Sequence, residues 1–422
     1  MSGAGLVSGD GFDSVPEAAG AGADSRATPR STTAFEPYGV WSDLVGQDHV
    51  GAELVQAALG HGMTHAWLLT GPPGSGRSTA ARVFAAALQC TTPGEPGCGH
   101  CLGCRTVLDG THPDVLQLAT DQLSIGVADT RQLVRRSSMT PSSGRWQVLL
   151  IEDADRLTEA AGNVLLKAVE EPSSRTVWIL CAPGREDMLP TIRSRCRHLL
   201  LRTPPSGAVA EILVRRDGVD PIRAREAARA AQGHIGRAKR LATDDEARAK
   251  RTEVLALASS LTDIGSALAA AQKLVDATIS EAKRTAEERD AHETADLRLA
   301  LGFQEGSRKA VPGAAGALKD LESRQKKRAT RMQRDALDLA LVDLAAFYRD
   351  VLAVQLGALG GPGGDVTEPV HDDQYAAVRR IAANGTPEAT LRRIEAVLAC
   401  RKAVERNVAP LLAVEAMAVS LR

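Results

Sequence analysis

The sequence predicts a doubly wound α/β half followed by an all-helical half, and three observations predict it. Five short apolar runs alternate with helical stretches between Phe35 and about Thr203: Ala66–Thr70, Val115–Leu118, Val148–Ile151, Val177–Leu180 and His198–Leu201. Runs that are apolar almost throughout fit strands covered on both faces, as in a parallel sheet with crossover helices. The first run leads straight into a glycine-rich segment, Gly71–Ser78, and then into a stretch of good helical character, Thr79–Leu88. After Pro204 and Pro205 no strand-like run recurs, and the apolar spacing becomes helical.

Each region follows from its pattern. Residues 1–35 are rich in Gly, Ala, Ser and Thr without apolar periodicity, so they are expected to form a disordered tail. Residues 36–203 form the α/β domain, in which Thr158 is placed to cap a crossover helix that Pro172 prevents from continuing. Residues 204–248 read as a small helical unit interrupted at Asp217-Gly218 and at Gly233. Residues 249–422 read as a second helical domain, where Leu337, Leu341, Leu344, Tyr348 and Leu352 fall at steps of four, three, four and four and make one apolar stripe. Gly357 and the run Gly360–Gly364 end that helix, and 303–316 is another Gly/Pro-interrupted stretch.

A length of 422 residues is enough for two or three domains. With 51 basic and 52 acidic side chains the formal charge is -1, so the chain as a whole is no polycation that coats nucleic acid or anionic membrane, and such partners must be met by local patches. No apolar run approaches the roughly 20 residues of a membrane span, and the first 33 residues do not read as a secretory signal. A cytoplasmic protein without a membrane partner is expected. A basic run, Arg324, Lys326, Lys327, Arg328, Arg331 and Arg334, reads as a solvated helix face, with phosphate contact as the alternative.

The segment Gly71-Pro72-Pro73-Gly74-Ser75-Gly76-Arg77-Ser78 sits between a strand and a helix, the context a phosphate-cradling loop requires. Glycines let backbone N–H groups curl around phosphate oxygens, and Ser78 stands where a hydroxyl would ligate magnesium; an ordinary glycine turn is the alternative. Arg77 stands where the motif asks for Lys, and a planar guanidinium does not replace the point charge that reaches between the β- and γ-phosphates. The third run ends in Glu152-Asp153, the reverse of the usual order of metal-holding Asp and water-polarising Glu. Each side chain then differs by one methylene from the expected reach, and a misplacement of about 1 Å can cost about 100-fold in rate. Nucleotide binding can survive such changes where turnover fails.

Four of the seven cysteines, Cys90, Cys98, Cys101 and Cys104, crowd into one loop with spacing C-x7-C-x2-C-x2-C. In a reducing compartment this suits a closed, structural zinc site rather than disulfides. His100 could displace one thiolate, and four free thiols is the other reading. Cys181, Cys196 and Cys400 read as small core residues. The loop has no aromatic residue on which a nucleic-acid base could stack.

Together, Leu44–Gln47, His65-Ala66-Trp67, the glycine loop, the cysteine cluster, His112–Val115, Glu152–Asp155, Asn163 to Pro172 and Thr191–Cys196 resemble the bacterial sliding-clamp loader family of DNA polymerase III, over roughly 41–241. The resemblance implies a P-loop AAA+ module with a helical lid, followed by an all-α collar that holds subunits in a ring, with ATP and magnesium between neighbours. It is nearest to the family's non-motor delta-prime type. It implies nucleotide contacts from Val45, Gly71, Gly74, Ser75, Gly76, Arg77 and Ser78, and a degenerate acidic pair in Glu152 and Asp153. In Ser194-Arg195-Cys196 it implies an arginine finger, Arg195, reaching the triphosphate of an adjacent motor subunit; a surface ion pair is the other reading of that residue. The implied partners are gamma/tau and delta subunits in a hetero-pentamer and, through it, the sliding clamp and primer-template DNA. The family's first sensor meets Cys181-Ala182-Pro183, and the second sensor's Arg falls one position late, at Arg237. Two other readings stand beside this one, an active ATPase motor of gamma/tau type and a zinc-dependent nucleic-acid binder. Nothing resembles a nucleotidyl-transfer site, so a polymerase label would attach through membership of the holoenzyme.

Overall fold

The structure, a computed structural model, describes residues 35–120, 123–142, 144–261, 263–300, 314–359 and 369–422. The expected disordered tail, most of the 303–316 stretch and the Gly360–Gly364 run lie outside the described residues.

The α/β half runs α1 (Asp48–Ala58), β1 (Ala66–Thr70), α2 (Arg77–Leu88), α3 (Leu102–Leu108), β2 (Val115–Leu118), α4 (Val127–Ser137), β3 (Gln147–Ile151), α5 (Glu159–Glu170), β4 (Thr176–Ala182), α6 (Pro190–Arg193) and β5 (Arg197–Leu200). The sheet order is β2-β3-β4-β1-β5, and every pairing is parallel. β1, β3 and β4 are buried along their whole length, which is why they read as unbroken apolar runs rather than alternating ones. Leu68, Leu149, Ile151, Trp178 and Leu180 pack against Leu165, Val169 and Ile192 from the flanking helices. Thr158 accepts the Ala161 N–H and starts α5, which ends just before Pro172. β1 and β3 are separated by β4, so the loop after β1 and the acidic end of β3 open on the carboxyl edge of the sheet, where doubly wound folds hold ligands.

Three short helices follow: α7 (Ser206–Asp217), α8 (Pro221–Ala230) and α9 (Ile235–Thr243). They close around Val209, Leu213, Ala224, Ala228, Ala238 and Leu241. Then come α10 (Asp245–Ser260), α11 (Ile264–Ala300), α12 (Ala314–Gln355), α13 (Tyr375–Ala383), α14 (Pro387–Glu405) and α15 (Pro410–Ser420). The predicted stripe is the core of this region: Leu337, Leu341, Leu344 and Tyr348 are buried with Leu274, Val397 and Val414, while Leu352 is only half-buried. The 37 and 42 residues of α11 and α12 make helices about 55 and 63 Å long, well beyond the length the stripe alone predicts.

The basic run is not uniformly a solvated face. Arg324, Lys326 and Lys327 are exposed. Arg328 is buried and forks onto Glu293 of α11 at 2.7 and 2.8 Å, with Asp290 as a further partner. Arg331 reaches Asp153 in the α/β half. Carboxylates that no local pattern brings near these arginines turn the two inward.

Candidate functional site

The loop after β1 is built to leave its donors free. Gly76 has φ +91° and sits at the N-cap of α2, a conformation that a residue with a Cβ adopts only under strain. No side chain caps α2 and no acidic residue stands in its first turn, so its N-terminal N–H groups and partial positive charge face the loop unneutralised. Two buried polar atoms there have no hydrogen-bond partner, Ser75 Oγ and Arg77 Nη1. Orphaned donors beside an uncapped helix start fit a phosphate group, and the residues that would hold one are Gly74, Ser75, Gly76, Arg77 and Ser78.

The surroundings brace this loop and crowd it. Gln47, 1% exposed, donates to the Ser75 carbonyl at 3.2 Å and to the Arg202 carbonyl at 2.5 Å, and accepts the Arg202 N–H. It therefore ties the loop to the segment between β5 and α7, while Val45 stands half-buried two residues before it. At Gly74, φ +85°, a Cβ would fall 2.5 Å from His234 Cβ, so the start of α9 lies directly on the loop. Burial, with Arg237 beside it, holds the His234 imidazole below its ordinary range; its neutral Nδ1 accepts the Arg237 N–H and caps α9.

The acidic pair ends β3 as the sequence indicates. Glu152 accepts from Gln117 of β2. Asp153 Oδ2 accepts from both terminal nitrogens of Arg331, at 3.2 Å each. Where the resemblance expects a first sensor, Cys181 is fully buried, and burial pushes its thiol far above the ordinary range. Arg237, one position beyond where the resemblance expects a second sensor, pairs with Asp343 of α12. Sequence reasoning missed Gln47's bracing role, the Gln117–Glu152 contact, the reach of Arg331 to Asp153 and the approach of His234 to Gly74; each joins residues remote in the chain, and no spacing signals it.

Arg195 is exposed on the turn after α6. It donates to the Thr191 carbonyl at 2.9 Å and to Ser194 Oγ at 3.0 Å, and pairs with Glu170 at 2.7 Å. None of these partners belongs to the phosphate loop or the acidic pair.

The four cysteines converge. Their Sγ atoms all lie within 4.8 Å of one another, with Cys90 and Cys101 3.8 Å apart. Zn–S bonds of about 2.3 Å in a tetrahedron place sulfurs about 3.8 Å apart, so the donor set could hold such an ion. His100 turns its Nδ1 to the Cys98 carbonyl and stands outside the cluster. The loop is anchored by Trp41 Nε1 donating to the Pro96 carbonyl at 2.7 Å and by the Val40 N–H donating to Gly97. Cys104 donates to Ala86 of α2, the helix that begins at the phosphate loop.

A five-stranded parallel sheet in this order, a glycine loop before α2 and a helical C-terminal region define a P-loop AAA+ protein. Residues 46–205 match the family described as "DNA polymerase III, delta subunit". Over 209 residues the chain is 36% identical to DNA polymerase III subunit delta' of Escherichia coli, covering 49% of this chain and 62% of that one. Over 165 residues it is 38% identical to subunit delta' of Pseudomonas aeruginosa, covering 38% and 50%. It is 35% identical over 177 residues to subunit gamma/tau of Mycobacterium tuberculosis, covering 42% and 31%. Each match spans less than two thirds of the relative's own length. Over this segment the chain is similar to delta' and gamma/tau subunits of DNA polymerase III. No helix among the described residues is long and apolar enough to cross a membrane.

Proposed function

We propose that the chain is a delta-prime-type, non-motor subunit of the DNA polymerase III clamp loader, which lends Arg195 to ATP held by a neighbouring subunit. The observation that carries this reading is an asymmetry of charge. Asp153 of the chain's own site is engaged by the chain's own Arg331, while Arg195 stands exposed at the end of a turn. The buried Cys181 and the commitment of Arg237 to Asp343 support it. In this reading residues 204–248 are a lid and 249–422 a collar that packs beside gamma/tau and delta subunits, and the assembly places the sliding clamp on primer-template DNA in the cytoplasm. The zinc loop braces α2, and any ATP held with magnesium at Gly71–Ser78 is not turned over. A guanidinium supplied from a neighbour stabilises the charge that develops on the transferred phosphoryl group, worth about 10³–10⁵ in rate. Its exchange of Glu170 for phosphate oxygens is cheap, because an exposed ion pair contributes only about 0–1 kcal/mol.

Arg195→Ala, assembled with motor subunits, is expected to lower DNA-stimulated ATPase by about 10³-fold at the site it serves while leaving assembly intact. Unchanged ATPase would refute the donation. Brisk hydrolysis by the isolated chain, abolished by Glu152→Gln, would establish the gamma/tau-type motor instead. The unpartnered Arg77 and Ser75 atoms are what favour that second reading.

A further inference from the structure

The partner of Asp153 comes from 178 residues away in the sequence. Arg331 lies on α12, and besides Asp153 it donates to the carbonyl of Thr120, just beyond β2. Its side chain is 18% exposed and that of Asp153 25%. Asp335, four residues on, is its remaining carboxylate neighbour, at 3.4 Å. Less than one turn before Arg331, Arg328 is locked to Glu293 and Asp290, which stiffens the helix where the arginine is presented. Twelve residues beyond, about 18 Å along the helix, Asp343 of the same helix holds Arg237 of α9. One helix is thus fastened both to the acidic end of β3 and to the unit whose His234 lies on Gly74.

A forked guanidinium on Asp153 supplies the positive charge that a divalent cation arriving with a nucleotide would supply. A cation held at Glu152, the metal-holding position of the pair, would meet that guanidinium on the adjoining residue, and the two like charges oppose each other. The loop beside it still offers unpartnered donors, so the phosphate side of the pocket fits an anion while the charge of the acidic pair is already partly balanced from within the chain. We propose that the α11–α12 pair is a built-in latch on the chain's own phosphate loop, with Arg331, held on Asp153, opposing magnesium at the neighbouring Glu152 until the pair lifts. This rests on reading Gly71–Ser78 as a nucleotide loop; it is independent of the role of Arg195.

The test uses the full chain, with ADP as the probe in magnesium and in EDTA. Removing an opposing charge beside the cation is worth roughly tenfold in affinity, so Arg331→Ala is expected to bind magnesium–ADP about tenfold more tightly than the unaltered chain, with ADP in EDTA little changed. Amide exchange over 324–336 and 147–156 should rise in the variant. By linkage, magnesium–ADP added to the unaltered chain should raise exchange over 324–336 as well. Arg331→Lys, which keeps the charge without the fork, should fall between the two and carries the test if Arg331→Ala does not fold. An equal gain in magnesium and in EDTA would mean general loosening and would overturn the latch, as would unchanged affinity with unchanged exchange. If neither form binds ADP, the latch and the loop reading fall together, while donation by Arg195, read from a neighbour's ATPase, is still decided by its own assay.

Discussion

Cys101 is bound into its surroundings twice over. It is the N-cap of α3, its sulfur accepting the Cys104 N–H, and it approaches Cys90 at 3.8 Å. Burial opposes its ionisation, but hydrogen bonds from Cys104 and Thr91 outweigh that and bring the thiol down to about 6. A thiolate present at neutral pH is what a zinc ligand requires. The chain is expected to carry a single zinc equivalent, lost in Cys101→Ser or on chelation. Because the loop anchors α2 and the Val40–Trp41 segment, losing the metal should cost at least about 3 kcal/mol, which lowers Tm by about 6 °C or more for a domain of this size. Metal analysis and melting curves with and without chelator check both. These cysteines were legible in the sequence because their spacing is local. Gln47 was not, since what it braces lies 28 and 155 residues away.

The long helices α11 and α12 show the same division at the level of elements. The apolar stripe of α12 was readable from Leu337 to Tyr348, where burial repeats with the helical period. Their distal part was misread, because the glue there is ionic. Arg328 is the largest influence on Glu293 and holds its carboxyl down to about 2 against the opposing effect of burial, with Arg289 on the same helix adding a smaller share. A carboxylate depressed in the folded state contributes stability that is complete above the ordinary glutamate range, about 4.3, and that disappears as pH falls toward about 2. The α11–α12 contact should therefore loosen between those limits, and less steeply in high salt, since Glu293 is still about a third exposed. Amide exchange over 286–296 and 321–331, compared at pH 5 and pH 2.5, checks this. The Glu293→Gln variant should show the loosened pattern already at pH 5.

Across the whole molecule, strands and helices were legible because each is fixed by neighbours in sequence, whereas the ties between the three-helix unit and the C-terminal region are pairs of opposite charge with no periodic signature. Arg237 was picked out as a displaced sensor. Its guanidinium instead meets Asp343, the two side chains being 11% and 5% exposed, and Arg251 approaches the same carboxylate at 3.7 Å while reaching Asp373 at 2.9 Å. A buried pair adds little over apolar residues of equal size, but breaking one from a single side leaves an uncompensated charge, at a cost of about 3–5 kcal/mol. Arg251 continues to face Asp343 when Arg237 is removed, so Arg237→Ala should sit at the lower end, about 3 kcal/mol by denaturant unfolding. Exchanging both partners together, Arg237→Met with Asp343→Leu, should recover most of that loss, because Arg251 keeps Asp373 and no buried charge is left without a partner. If the double variant were as unstable as the single one, the two residues would matter for their shape and not for their pairing. If Arg237→Ala cost less than about 1 kcal/mol, as an exposed pair would, the tie between the three-helix unit and α12 would contribute nothing measurable to holding them together.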